Sequence, residues 1–311
     1  MKQRPFGSTG KFVSEIGLGS WQLGNEENWG SMTESEGINI VDKALELGCN
    51  FFDTAPNYAL GKSEEILGKA LRGKRDKVII SSKFGHQDNG EINFDPNEIE
   101  KSVDKSLKRL QTDYLDSILL HNPPFQYLNG NMQHFEELEN LKKEGKIAAY
   151  GASVDTSEEM FEVIEKTNSQ VIEVMFNIFH QDTAKAFKAA HDKKIALIIK
   201  VPLDSGWLSG KYHAESTFTD IRSRWSRDII HRRAVMLEEV NNIVEPNQSL
   251  AISALQFILA HPEVSTVIPG AKNIRQLEGN ISAAQGTMDL KTVEKLKAMW
   301  ENHLKDNGLP W

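Results

Sequence analysis

Four side chains in the first 121 residues are of types that could share one proton-transfer reaction: Asp53, Tyr58, Lys83 and His121. Asp53 closes the apolar run Phe51-Phe52-Asp53, Lys83 closes Val78 to Lys83, His121 follows Leu115 to Leu120, and Tyr58 lies in the loop after Asp53. A phenol has an ordinary pKa of about 10, too high to ionise freely at neutral pH but suited to protonating an alkoxide as it forms. A lysine beside it favours the phenolate, an aspartate fixes that lysine, and an imidazole can donate to a carbonyl oxygen and align it. Nothing in the set is a hydride donor, so the reaction needs a carrier, and a nicotinamide is the obvious one.

Such a set works only if the fold gathers it at one place. Short apolar runs alternate with amphipathic segments along the chain: Ile16 to Gly19, Asn50 to Asp53, Val78 to Lys83, Leu115 to Leu120, Ile147 to Ser153, Val171 to Asn177, Ile195 to Lys200 and Val264 to Pro269. Most are nearly continuous apolar stretches, as parallel strands covered on both faces require. Helix signals fall between them. Thr33 with Glu36 forms a capping box ahead of Ile38, Val41 and Leu45 on one face, with Gly48 placed to end the helix. Asp95-Pro96 reads as an N-cap with proline at the first helical position, leading to Ile99, Val103, Leu107 and Leu110. Thr156 and Glu159 repeat the capping box, and Leu138 and Leu141 share a face before Gly145.

Strand and helix repeated eight times imply right-handed crossovers and a parallel sheet. The length fits one domain over residues 1–311, a (β/α)₈ TIM barrel of the α/β class. The extra material is an N-terminal β-hairpin from Arg4 to Ser14, a long loop insert after strand seven between Leu203 and Pro246, and an extra C-terminal helix around Leu290 to Leu304. A doubly wound sheet is the alternative, but Gly17-Leu18-Gly19-Ser20-Trp21-Gln22 is not the Gly-x-Gly-x-x-Gly turn of a Rossmann unit. In a barrel the reactive groups lie beyond the carboxyl ends of the strands, where Asp53, Tyr58, Lys83 and His121 all fall.

Composition narrows the partners. Acids outnumber bases by 44 to 36, giving a formal charge of −8 that disfavours a sequence-independent grip on nucleic acid. No apolar run is long enough to cross a bilayer and the N-terminus lacks a signal-peptide core, so the expected location is cytoplasmic and no membrane partner is expected. Cys49 is the single cysteine, expected as a small buried hydrophobe in a reducing compartment. No His-Glu-x-x-His spacing or cysteine cluster exists, so no catalytic metal is expected. Gly151-Ala152-Ser153-Val154-Asp155 is not the nucleophile elbow of a serine hydrolase.

Gly48 to Tyr58, then Gly61-Lys62-Ser63-Glu64-Glu65-Ile66-Leu67-Gly68 with Ala70-Leu71, resembles the signature of the aldo-keto reductases. Lys83 after Val-Ile-Ile-Ser-Ser, the stretch Leu107 to His121, Gly151-Ala152-Ser153, Pro202-Leu203 with Gly206, Leu208 and Gly210, and Ile268-Pro269-Gly270-Ala271-Lys272 with Gln276 and Asn280 follow in the same order. The resemblance spans nearly the whole chain. It implies the barrel, NADPH-dependent reduction of a small aldehyde or ketone, and the tetrad Asp53, Tyr58, Lys83 and His121. It also assigns the cofactor: Ser153 to the nicotinamide carboxamide, Pro202, Leu203, Gly206 and Leu208 to the pyrophosphate, and Gly270, Lys272, Arg275, Gln276 and Asn280 to the adenosine end. Lys272 and Arg275, opening the helix after strand eight, favour a 2′-phosphate.

The pattern departs from that family twice: Val154 stands where asparagine often follows the serine, removing one amide contact, and Glu173 stands where glutamine is usual in strand six. Glu173 could still accept from the carboxamide, yet a buried carboxylate must be protonated or paired. Trp21, with Tyr58 and His121, is a candidate to line the substrate pocket, or else it packs. Asn177 is either a nicotinamide-side contact or a loop cap. Arg222, Arg224, Arg227, Arg232 and Arg233 around Trp225 read as a solvated basic helix face, or else as cations that an anionic substrate exploits. Three rival functions share these residues: an aldose or alcohol dehydrogenase running the reverse direction, a Schiff-base lyase using Lys83 or Lys200, and a non-catalytic NADPH-binding sensor. The substrate and the oligomeric state are not named by the sequence.

Overall fold

The computed structural model describes residues 1–25 and 30–311. A two-stranded antiparallel hairpin, β1 (Gln3–Pro5) and β2 (Phe12–Ser14), opens the chain. Then β3 (Leu18–Gly19), α1 (Glu34–Glu46), β4 (Phe51–Asp53), α2 (Lys62–Ala70), β5 (Ile79–Phe84), α3 (Ile99–Leu110), β6 (Ser117–His121) and α4 (Gln133–Lys143) alternate. They continue as β7 (Tyr150–Val154), α5 (Ser157–Lys166), β8 (Val171–Met175), α6 (Phe187–Asp192), β9 (Ala196–Lys200), α7 (Arg227–Ile243), α8 (Leu250–Leu259), β10 (Val264–Val267), α9 (Ile274–Ser282) and α10 (Leu290–His303).

Strands β3 to β10 form one parallel sheet in sequence order. It closes on itself through parallel bridges Ile16 to Val267 and Gly19 to Gly270, with Gly17 N donating to Val267 O at 2.8 Å. The expected TIM barrel is thus present, and α7 is the insert after its seventh strand. Close backbone approach at this seam excludes a side chain: a Cβ on Gly19 would lie 2.6 Å from the Ile268 carbonyl oxygen.

Two hydrophobic layers follow from the two-residue period of each strand. Phe51, Ile79, Leu119, Ala149, Val171, Ala196 and Ile198 fill the barrel with Phe6 and Val13 of the hairpin. Phe52, Ile80, Ile118, Leu120, Ala152, Ile172, Leu197 and Ile199 face the helices. The hairpin closes the amino-terminal end, where Lys11 and Arg75 both pair with the buried Asp116 carboxylate.

The helix caps form as their sequences require: Thr33 with Glu36 and Thr156 with Glu159 are complete capping boxes. Three local expectations shift. On α1 the buried stripe is Gly37, Ile40, Val41 and Ala44, with Ile38 and Leu45 only partly buried at its edges. Asp95-Pro96 starts a 3₁₀ turn (Pro96–Glu98), and the α-helix begins at Ile99. The strand expected from Ile147 begins at Tyr150, because Ile147 makes only an isolated bridge to Leu115. Cys49 is buried, and burial pushes its thiol up to about 11.

Candidate active site

Strand alternation aims one side chain in two at the barrel axis, and at the carboxyl ends those side chains are polar. Asp53 ends β4, Lys83 lies near the end of β5, His121 ends β6, Ser153 and Glu173 lie on β7 and β8, and Lys200 ends β9. In register, Asp53 faces Ser81, Lys83 faces Leu119, His121 faces Ser153, and Ser153 faces Glu173.

Lys83 is the hub. Its ammonium nitrogen lies 2.6 Å from both Asp53 oxygens, 3.1 Å from Thr54 O, 3.5 Å from the Tyr58 hydroxyl and 3.3 Å from Glu173 Oε2. The Lys83 side chain is fully buried. Burial alone would lower its pKa, but Asp53, Glu173 and Tyr58 outweigh that and hold it well above the usual lysine value. An ammonium held so firmly is no Schiff-base nucleophile, which removes that reading for Lys83.

Tyr58 is brought to Lys83 by a strained turn. Ala59 and Leu60 take left-handed conformations at φ +51° and +52°, and Gly61 follows at +88° before α2 begins. Two non-glycine residues in this region cost about 1–3 kcal/mol each, a burden that tends to gather at functional sites. α2 is pinned beneath the turn by Glu64, which accepts from Ser82 Oγ at 2.7 Å and from Arg109 Nε at 2.7 Å. Burial pushes the Tyr58 phenol up, and Lys83 works to bring it back down. Trp21 stacks beside Tyr58 with ring centroids 6.1 Å apart, and His121 meets Tyr58 edge-on at 6.1 Å. His86, after β5, packs against His121 with the rings tilted and their centroids 4.6 Å apart; sequence reading missed it, and nothing in Phe84-Gly85-His86 marks it.

A second cluster adjoins the first. Lys200 Nζ donates to Asn122 Oδ1 at 2.7 Å and Ser153 Oγ at 2.9 Å, and pairs with Asp155 Oδ1 at 2.9 Å. Ser153 Oγ in turn donates to Glu173 Oε1 at 3.0 Å. Glu173 is therefore paired rather than isolated, as its burial demands. Val154 points away from the barrel into the helix-facing core. It packs there and supplies no amide. Asn177 is a loop cap: its side chain accepts from Phe179 N at 2.8 Å and His180 N at 3.1 Å and donates to Val201 O at 2.9 Å.

The segment after β9 turns sharply, with Val201, Asp204 and Ser205 at positive φ and Gly206 at +96°. Pro202 and Leu208 are buried, Leu203 and Gly206 partly so, and Leu208 N donates to Leu203 O at 3.1 Å. With Leu208 in the core, its part in any site is played by backbone. Arg233 of α7 holds this segment: its Nε lies 3.0 Å from Asp204 Oδ2, both side chains are fully buried, and His180 Nε2 is 3.3 Å from Asp204 Oδ1. Arg222 is also buried and bound to Asp220. The expected solvated face is thus wrong for these two arginines, each of which neutralises a carboxylate; Arg224 and Arg227 are exposed and Arg232 is half-buried.

Beyond β10, Asn273 caps α9 by accepting from Gln276 N at 2.9 Å. Gln276 Oε1 accepts from Lys272 N at 2.9 Å, and Asn280 Nδ2 donates to Gly270 O at 3.1 Å. The Gln22 amide packs against Gly270, where an added Cβ would fall 2.0 Å from Gln22 Oε1 and require that side chain to move. Arg275 is exposed. The Lys272 ammonium is held below the usual lysine value by partial burial and by the positive fields of Arg222 and Lys211. A concentration of cations at the start of a helix suits a phosphate, and the Ser153, Asn122, Lys200 and Glu173 donors and acceptors at the mouth suit a carboxamide; the residues fit a nicotinamide dinucleotide.

A model of the Aldo/keto reductase family matches residues 15–301. The oxidoreductase YqkF of Bacillus subtilis (strain 168), itself uncharacterised, is 33% identical, covering 99% of this chain and 98% of its own. The NADH-specific methylglyoxal reductase of Escherichia coli (strain K12) is 27% identical over 96% of this chain and 100% of its own. Among solved structures, the holo form of aldo-keto reductase AKR11C1 from Bacillus halodurans superposes with a TM-score of 0.82 at 28% identity, covering 96% of each chain. The chain belongs to the aldo/keto reductase family, whose members are oxidoreductases that act on small carbonyl compounds with a nicotinamide cofactor. Among the described residues, no helix is long and apolar enough to cross a membrane.

Proposed function

We propose that this chain reduces an aldehyde or ketone to an alcohol with NADPH, Tyr58 giving the proton. The observation that carries this is the approach of the Lys83 ammonium to the Tyr58 hydroxyl, 3.5 Å, while both Asp53 oxygens hold that ammonium at 2.6 Å. The bound cofactor supplies a hydride to the carbonyl carbon. As the new C–H bond forms, Tyr58 releases its phenolic proton to the carbonyl oxygen, and Lys83 stabilises the negative charge left on the phenol. Asp53 keeps the ammonium in place. His121, its imidazole held neutral, donates to the carbonyl oxygen and orients it. Trp21 lines the same mouth beside Tyr58. The reverse reaction, oxidation of an alcohol or lactol, uses the same groups with each transfer inverted.

Ser153 and Glu173 would hold the carboxamide. The sharply turned segment with Pro202, Leu203, Gly206 and Leu208 would lie over the pyrophosphate, and Gly270, Lys272, Arg275, Gln276 and Asn280 would hold the adenosine end. Preference for the 2′-phosphate rests on Lys272 within the field of Arg222 and Lys211. One relative is NADH-specific, so the preference must come from this chain's own cations. Replacing Lys272 by alanine should raise the KM for NADPH roughly tenfold or more while leaving NADH within about twofold, as loss of one charged contact to phosphate requires. Initial rates of oxidation of each cofactor with an aromatic aldehyde measure this. Equal losses for both cofactors would refute the 2′-phosphate assignment.

A further inference from the structure

Asp53 from β4 and Glu173 from β8 both approach one ammonium, at 2.6 Å and 3.3 Å, and both are no more than 2% exposed. Glu173 Oε2 meets Lys83 as an ion pair, and the Asp53 and Glu173 carboxyls lie within hydrogen-bonding reach of each other. Lys200 of β9 also acts on Glu173 and lowers its pKa, but it is itself paired with Asp155 after β7 and so brings no unmatched positive charge. His121 of β6 and His86 after β5 are held low, mainly by burial, and burial pushes the Tyr58 phenol up. Two ionised carboxylates against one ammonium would leave a net buried negative charge, which a site this enclosed disfavours strongly.

We infer that Asp53 and Glu173 hold one proton between them at neutral pH, and that losing it in alkali, before Tyr58 ionises, ends carbonyl reduction. The second clause rests on the proposed role of Tyr58; the first does not. Burial and the like charge of Glu173 hold Asp53 well above the usual carboxylate range, while Lys83 and Lys200 hold Glu173 low against its own burial. The proton belongs to the pair. When it leaves, an extra negative charge appears beside Lys83 and Tyr58. That charge opposes the phenolate developing in the transition state, so the rate falls as pH rises. Glu173 is thereby a positioning residue, acting through Lys83 on the proton that Tyr58 gives.

Infrared spectra of the ligand-free protein in H₂O and D₂O at neutral pH test the pair without any turnover. The wild type should show the deuterium-sensitive C=O band of a protonated carboxyl, and the band should be absent from both Glu173→Gln and Asp53→Asn. Glu173→Gln leaves Asp53 as the simple counterion of Lys83, ionised like any paired carboxylate. Near-UV circular dichroism checks that each variant is folded. With NADPH and an aromatic aldehyde, the alkaline limb of the kcat profile should move up by about one pH unit or more in Glu173→Gln. No such band in the wild type, or its persistence in Glu173→Gln, overturns the shared proton. An unmoved alkaline limb with the band behaving as expected overturns the control of Tyr58 alone.

Discussion

His121 is held in its neutral form by burial, and by Lys83, His86 and Lys200, all acting in the same direction. This is useful chemically, since a neutral imidazole can donate to a carbonyl oxygen without taking the proton meant for it. It also has a stability consequence with a definite sign. In the unfolded chain a histidine titrates near pH ~6.5, so below that value the unfolded state binds a proton that the native state refuses. Stability is therefore lost as pH falls through this window, by up to about 1.4 kcal/mol per pH unit for one such group. His121→Gln should flatten the slope of unfolding free energy against pH by about that amount between roughly pH 6.5 and 5. Urea unfolding at stepped pH measures it; an unchanged slope would show that His121 is protonated in the native state.

At the scale of elements, α7 is more than an insertion. Its Arg233 neutralises Asp204 in the turned segment after β9, donates to Pro310 O at 2.9 Å and lies over the Trp225 ring at 4.0 Å, while Arg232 donates to Asn307 O at 2.6 Å. The C-terminal residues and the segment proposed to cover the pyrophosphate are thus held by one helix. Arg233→Met leaves a buried carboxylate without its main partner and should destabilise the protein by about 3–5 kcal/mol, with weaker NADPH binding. Adding Asp204→Asn should restore part of the stability, because no charge is then left unpaired. Denaturant unfolding and cofactor titration test both; wild-type stability in Arg233→Met would mean that Asp204 is already satisfied by His180.

Much of the molecule could be read from sequence because its strands and helix starts are local signals. Eight apolar runs became the eight barrel strands within a few residues, and Thr33 and Thr156 cap helices for reasons contained in four consecutive residues each. Asp53, Tyr58, Lys83 and His121 were legible because each lies at or soon after the carboxyl end of a strand. What was hidden depends on distance along the chain. Arg233 and Asp204 are 29 residues apart, and an arginine run in isolation looks like a solvated face. Val154 could be read as lacking an amide, while its place in the helix-facing core follows from the strand period, which turns it outward from its neighbour Ser153. Glu173 could be seen to need a partner, but only the closed barrel sets β8 opposite β4 and makes that partner Lys83.

Transfer of deuterium from cofactor deuterated at the reactive nicotinamide carbon, compared in wild type and Tyr58→Phe, addresses the proton donor directly. The substitution removes one hydroxyl and little volume, so NADPH should bind both proteins with nearly equal affinity. Wild type should place deuterium on the carbinol carbon of the product alcohol, and Tyr58→Phe should do so about 10²- to 10⁴-fold more slowly, the usual worth of a general acid. Turnover by Tyr58→Phe at the wild-type rate, with the label still reaching that carbon, would contradict the account.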